Sequence, residues 1–196
     1  TEFASAISFF VDRTELRLLK DLDDVGLDEF SSITLSVNNP VVSLNDRVHI
    51  IRNVNYTTSV SSLKTSLLQR TYEYAIDFWP YASASVGTPR YYSRKTNSSI
   101  YIVPTPASTL TGEIQTVSRP LPLSSATGTS VTTENYFSNY CYDALFAGCM
   151  VEATMFMKDW NTLPVWQTQY QTAILALRNQ ARRTRQDDME VAASPA

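Results

Sequence analysis

Charge constrains the fold of this chain more than any other feature, because it is spread so unevenly. Residues 1–30 carry 11 charged side chains and residues 134–196 carry 12, leaving 12 for the 103 residues between them. That middle stretch instead holds 33 of the chain's 44 Ser and Thr. Low charge with many hydroxyls and β-branched residues suits strands and turns, whereas charged ends suit amphipathic helices. Net charge divides the same way, at -5, +4 and -2. The pattern predicts an α+β fold: a bundle of three long helices with an inserted β-rich, small antiparallel sandwich-like domain carrying one short helix. The expected boundaries are a discontinuous helical domain over 1–30 and 132–190, a β-rich insertion over 31–131, and a flexible tail over 191–196.

Periodicity fills in the elements. Phe3, Ile7, Phe10, Thr14 and Leu18 fall at helical spacing, so a first helix is expected from Thr1 to about Leu22. Asp21, Asp23 and Asp24 then oppose the helix dipole, which implies a frayed end or one held by a partner. In the middle, Ile33, Leu35 and Val37 alternate with polar residues before the turn Asn38-Asn39-Pro40. Further strands are expected over Arg47–Tyr56, over Tyr91–Arg94 paired with Ile100–Val103, and over Thr109–Val117. Between them Tyr72, Ile76 and Trp79 mark a short helix stopped by Pro80. The last part reads as a central helix from Glu134 to Asp159, capped by Thr132 or Thr133 and apolar almost all round. A further helix then opens at Leu163-Pro164. The expected core residues are Trp79, Leu145, Val151, Met155, Trp166, Tyr170 and Ile174.

Composition excludes several classes. The 196 residues suffice for one domain, or for a core with a sizeable insertion. Five Gly, against roughly 14 at average usage, rule out a Gly-rich chain and leave no phosphate-binding loop. One His and two Cys cannot supply the usual four-ligand zinc site. No apolar run approaches the ~20 residues of a membrane span. No basic segment followed by an apolar one marks a leader, and Thr1 in first place implies a removed initiator Met or a trimmed chain. A net charge of -3 argues against a protein that coats nucleic acid.

No candidate chemistry outweighs its structural alternative. Cys141 and Cys149, eight apart on one helix, lie about 12 Å apart along the axis and cannot form a disulfide. They read as small buried residues. His49 lies in a strand pattern with no nucleophile elbow, and reads as a surface residue. The acidic pairs Asp23-Asp24, Asp28-Glu29 and Asp187-Asp188 lack the spacing of a calcium loop and read as solvated helix ends. The run Arg178, Arg182, Arg183 and Arg185 reads as a solvated helix face or a docking surface for an acidic protein groove. Nucleic acid is the weakest of its readings, because Asp187, Asp188 and Glu190 follow at once. The rings of Tyr72, Tyr74, Phe78, Trp79, Tyr81, Tyr91 and Tyr92 suit the core of a small β-domain or a stacking platform for sugars or bases. Neither enzymatic activity nor a cofactor is expected.

Several runs carry a family likeness. Leu67–Pro80 (LLQRTYEYAIDFWP), Thr88–Ser93 (TPRYYS), Ile100–Ala107 (IYIVPTPA) and Arg119–Ser124 (RPLPLS) resemble, in that order, the head-to-tail adaptor proteins of tailed phages. Asp143–Asp159 (DALFAGCMVEATMFMKD) is similar to that family's central helix, and Phe9–Asp23 (FFVDRTELRLLKDLD) to its first. One departure is Thr116-Val117, where the family has an aromatic before the Arg-Pro. The resemblance implies a virion structural protein: a ring, commonly a dodecamer, that joins the portal protein to tail nozzle or tube proteins at the head-tail junction. It would assemble in the host cytoplasm and let DNA pass without specific binding and without a membrane. Carried over, it assigns Arg178, Arg182, Arg183, Arg185, Asp187 and Asp188 to the portal contact. It makes the acidic set Asp21, Asp23, Asp24, Asp28 and Glu29 a channel lining or an inter-subunit face. Another tail ring, such as a stopper or nozzle-contacting protein, and a glycan-binding β-module are the alternatives.

Overall fold

The computed structural model describes residues 2–22, 25–58, 63–81, 84–124 and 132–190; for residue 25 and residues 184–190 it describes the backbone alone. Its elements run α1 (Glu2–Asp21), a 3-10 turn (Val25–Leu27), β1 (Asp28–Leu35), β2 (Val41–Ser43) and β3 (Val48–Thr57). Next come β4 (Lys64–Ser66), β5 (Leu68–Gln69), α2 (Tyr72–Phe78), β6 (Tyr91–Thr96), β7 (Ser99–Val103) and β8 (Leu110–Ser118). The chain ends with α3 (Tyr136–Tyr140), α4 (Tyr142–Met157) and α5 (Leu163–Glu190). Two compact units result, one of Thr1–Leu27 with Arg119–Ala196 and one of Asp28–Ser118.

The helical unit corrects the expected bundle of three long helices. The helix expected from Glu134 breaks at Cys141, whose φ of -123° and ψ of 28° leave the helical region. Asn135 starts the short α3 with a reciprocal capping box: its side chain accepts from the Ser138 N–H, and the Ser138 hydroxyl accepts from the Asn135 N–H. The break lets Phe137 become fully buried while α4 starts in a new direction. The chain therefore folds as α+β with five described helices and two four-stranded sheets. Helices α1 and α5 each pack on α4, and α4 leads into α5 through a short turn. Gly148 marks the closest approach: a Cβ there would run into the Thr14 methyl and come within 3.2 Å of the Tyr170 ring. Helix α4 ends at Lys158, in the left-handed region at φ 57°, with the Asp159 N–H donating to the Thr154 carbonyl at 3.0 Å.

Burial in this unit is one-sided. In α1, Phe10, Thr14 and Leu18 are buried at helical spacing, but Phe3 and Ile7, on the same stripe, stay exposed. Helix α4 is apolar all round, yet its Phe146, Met155, Phe156 and Met157 rank among the exposed large side chains. In α5 the buried stripe is Tyr170, Ile174 and Ala181.

The second unit is a pair of sheets. One is antiparallel throughout, in the order β1-β8-β3-β4. The other runs β2-β7-β6-β5, and here the expected all-antiparallel arrangement is corrected, because β5 pairs parallel to β6. The connection from β5 to β6 is long enough for a crossover and contains α2, which lets the chain return in the same direction. Ile33, Leu35, Val54, Tyr56, Tyr92, Ile100, Ile102 and Ile114, drawn from both sheets, share one core. At Gly112 the β3 backbone comes so close that an added Cβ would lie 2.8 Å from the Asn55 carbonyl oxygen. Helix α2 lies on β6 and β7, burying Ala75 against Tyr101 and Val103. Asn38, at φ 58°, makes the turn into β2.

Candidate functional site

The polar groups that the fold buries hold its elements together. Glu15 of α1 is fully buried, with the Asn135 side-chain amide donating to its Oε1 at 2.6 Å and the Leu123 N–H at 3.2 Å. Arg119 approaches Oε2 at 3.7 Å. Burial nevertheless holds the Glu15 carboxyl above its ordinary 4.5, against those hydrogen bonds and the Arg119 charge. The Ser124 hydroxyl donates to the Ser8 carbonyl at 3.0 Å, so the segment 119–124 is fastened along α1. Glu152 of α4, also buried, takes Arg17 at 2.7 Å and Arg13 at 3.4 Å, tying α4 to α1. Sequence reading passed over both carboxylates. Only Glu152 carries a signal in the sequence, a single charge inside an apolar run, Val151-Glu152-Ala153; Glu15 lies among Asp12, Arg13 and Arg17 and reads as surface.

A third cluster joins two residues expected in different places. The Tyr170 hydroxyl donates to Asp21 Oδ2 at 2.8 Å, and Arg178 Nε donates to the Asp21 carbonyl at 2.9 Å. Arg17 stacks over the Tyr170 ring at 5.7 Å. Burial, followed by the Asp21 contacts, pushes the Tyr170 hydroxyl well above its ordinary value. Asp21, expected on a channel or inter-subunit face, and Arg178, expected at the portal, thus meet within one unit. The cluster closes the acidic end of α1 from inside the chain.

The other expected site residues are scattered. Arg182 and Arg183 are exposed on α5, whereas the side chains of Arg185, Asp187 and Asp188 lie outside the described residues, as do Asp23, Asp24 and the tail 191–196. Asp28 takes Arg52 at 2.7 Å and Gln115 at 2.9 Å, while Glu29 beside it is exposed. Of the expected core, Leu145, Val151, Tyr170 and Ile174 are buried and Trp79 and Trp166 half-buried. Met155 is 41% exposed, a departure with a plain cause: it sits in the last turn of α4, past the buried Val151.

His49 is exposed, Cys141 is buried and Cys149 partly so, and burial pushes the Cys149 thiol up. Among the described residues no three His, Cys, Asp or Glu side chains gather where they could hold a metal ion. No described helix is long and apolar enough to cross a membrane. What the helical unit does present is apolar surface. Phe3 packs on Phe10 and Phe156 at 5.8 and 6.2 Å between ring centroids, and its outer face remains open beside Ile7. Tyr142 stacks on Phe146, which meets the Trp166 ring edge-on at 5.8 Å. Tyr140 and Trp160 are 71% and 63% exposed. Aromatic side chains held open by one another in this way suit protein contacts.

No curated protein matches the chain. A family model does, over residues 2–194, and its description is SU10 adaptor protein.

Proposed function

Since the chain belongs to the SU10 adaptor protein family, we propose that it works through its surfaces, as the head-to-tail adaptor ring that joins the portal to the tail around the DNA channel. The family is one of phage structural adaptors and not a class of enzymes, so the chain is a virion component. One observation carries the finer reading. The helical unit leaves Phe3, Ile7, Tyr140, Tyr142, Phe146, Phe156 and Trp160 exposed. A protein that acted alone would bury such side chains, whereas heterologous contacts between copies would cover them and close a ring.

The exposed Arg182 and Arg183, together with the end of α5 beyond them, are the proposed portal contact. Tail nozzle or tube proteins take the opposite side of the ring. DNA passes through without specific contacts, since each phosphate gripped would add a salt-dependent hold on the moving genome. The junction is the proposed place in the virion, and assembly takes place in the host cytoplasm.

The test uses the full chain with its portal. Mass measurement by light scattering or native mass spectrometry should find a ring in the presence of portal. A monomer under every condition would refute the ring. Truncation after Ala181 keeps the Asp21–Arg178 contacts and the buried Ala181, so the chain should fold while portal pull-down is lost. Portal binding that survives this truncation removes α5 from the contact.

A further inference from the structure

Among the described cations of the β-rich unit Arg70 stands out by lying over two rings, where Lys95 lies over one, Tyr101 at 6.0 Å. Arg52 is bound to Asp28, Lys64 to Glu113, and Arg94 to the carbonyls of Val48, His49 and Asn97. Arg70 has no acidic partner among the described residues, and its guanidinium lies over two rings, Tyr74 at 5.6 Å and Tyr91 at 5.7 Å. The position is built and not incidental. The Arg70 N–H donates to the Tyr92 carbonyl at 2.9 Å, the preceding Leu68 N–H donates to the Arg90 carbonyl at 3.0 Å, and Thr71 caps α2 immediately after. The rings are fixed as well: Tyr74 and Phe78 stack at 7°, and both meet Tyr91 nearly at right angles. Gln69, Thr71, Tyr72 and Arg94 complete a groove beside the guanidinium, while Tyr74 and Phe78 are each 40% exposed.

A guanidinium seated over aromatic rings is not hydrogen-bonded by them, and its fork of N–H donors matches a carboxylate in two-point geometry. Arginine and tyrosine are also the residues that dominate protein contacts energetically. We propose that this face of the β-rich unit docks an acidic segment of a partner protein, with a carboxylate on Arg70 and an apolar neighbour on Tyr74 and Phe78. Charge selects the occupant: a cation without an acid of its own, held rigid, takes an anion, and the rings beside it take an apolar group. One guanidinium fork matches one carboxylate, whereas a nucleic-acid strand needs a row of cations along its phosphates. The inference stands on this unit alone and does not depend on ring formation.

The experiment is fluorescence anisotropy on the full chain with three probes: the peptide Trp-Glu-Trp-Glu and its twin Trp-Gln-Trp-Gln, both labelled at the N-terminus and amidated at the C-terminus so that the twin carries no carboxylate, and a labelled oligothymidylate. The acidic peptide should bind at least tenfold more tightly than its twin. Arg70→Ala should erase that preference, and Arg70→Lys should restore only part of it, at unchanged melting temperature. Because Arg70 is exposed and its backbone bond survives substitution, Arg70→Gln gives a second variant should Arg70→Ala melt early. Equal binding of the two peptides, a preference that survives in Arg70→Ala or Arg70→Gln, or tighter binding of the oligothymidylate would each overturn the proposal.

Discussion

At the scale of single residues, the fold relies on a few polar groups placed where apolar side chains would be the default. Lys158 holds a left-handed conformation that glycine adopts at no cost, so Lys158→Gly should stabilise the chain by about 0.5–1 kcal/mol. Urea denaturation measures this, and a loss of stability would show that the lysine side chain itself contributes. Glu152 is buried between two arginines, and Glu152→Ala should cost about 2–3 kcal/mol, since Arg17 would lose its partner in a half-buried position. Glu15 behaves differently with pH. Its folded carboxyl sits above 4.5, so the folded state keeps a proton that the unfolded state releases. The resulting stability is complete below 4.5 and is lost as pH rises through the folded value. The stability of the natural chain relative to Glu15→Gln should therefore shrink between pH 4 and pH 7, read from paired urea melts. A gap that widened over that range would contradict the assignment. None of these three roles was legible from residue type alone, because a carboxylate or a lysine reads as surface until its partners are known.

Among the elements, α4 decides how the helical unit is put together. Its apolar residues face every direction, which the sequence displays openly, and from this a central helix could be read. The break at Cys141 was not legible: no Pro or Gly marks it, and the Asn135–Ser138 capping box fixes only where α3 starts. Gly148 is the contact that sets the spacing of α1, α4 and α5. Gly148→Ala should cost about 1–3 kcal/mol by pushing its new methyl into Thr14. Adding Thr14→Ser, which removes that methyl, should recover part of the loss in a double-mutant cycle. Strictly additive effects would show that the two side chains do not meet. In the sheets, β8 and the second half of β1 follow the alternation of their residues, whereas β7 is buried along nearly its whole length. The short β2, β4 and β5 show no alternation, since two or three residues carry no periodic signal and exist as strands only because a neighbour supplies hydrogen bonds.

For the whole molecule, one compact unit interrupts the other in sequence: Asp28–Ser118 is inserted between Leu27 and Arg119, and its first and last strands are neighbours. Strands β1 and β8 pair from Asp28–Val117 to Leu35–Leu110, which brings the two ends of the β-rich unit together. A chain arranged so can carry an insertion without disturbing its host, so residues 28–118 expressed alone should melt cooperatively, as followed by circular dichroism. A broad, non-cooperative transition would mean that the sheets need the helices for their stability.

By itself the sequence determined where helix gives way to strand, because charge, hydroxyl content and periodicity are local properties that each segment carries with it. It also determined the residue inventory, one His and two Cys in 196 residues, because residue types are counted without reference to space. Only the tertiary structure decided which carboxylates are buried, that Asp21 meets Arg178, that α3 separates from α4, and that Arg70 lies over two tyrosines. These depend on residues far apart in the chain arriving at one place, and the free energy of a buried charge or a close helix crossing is set by those neighbours.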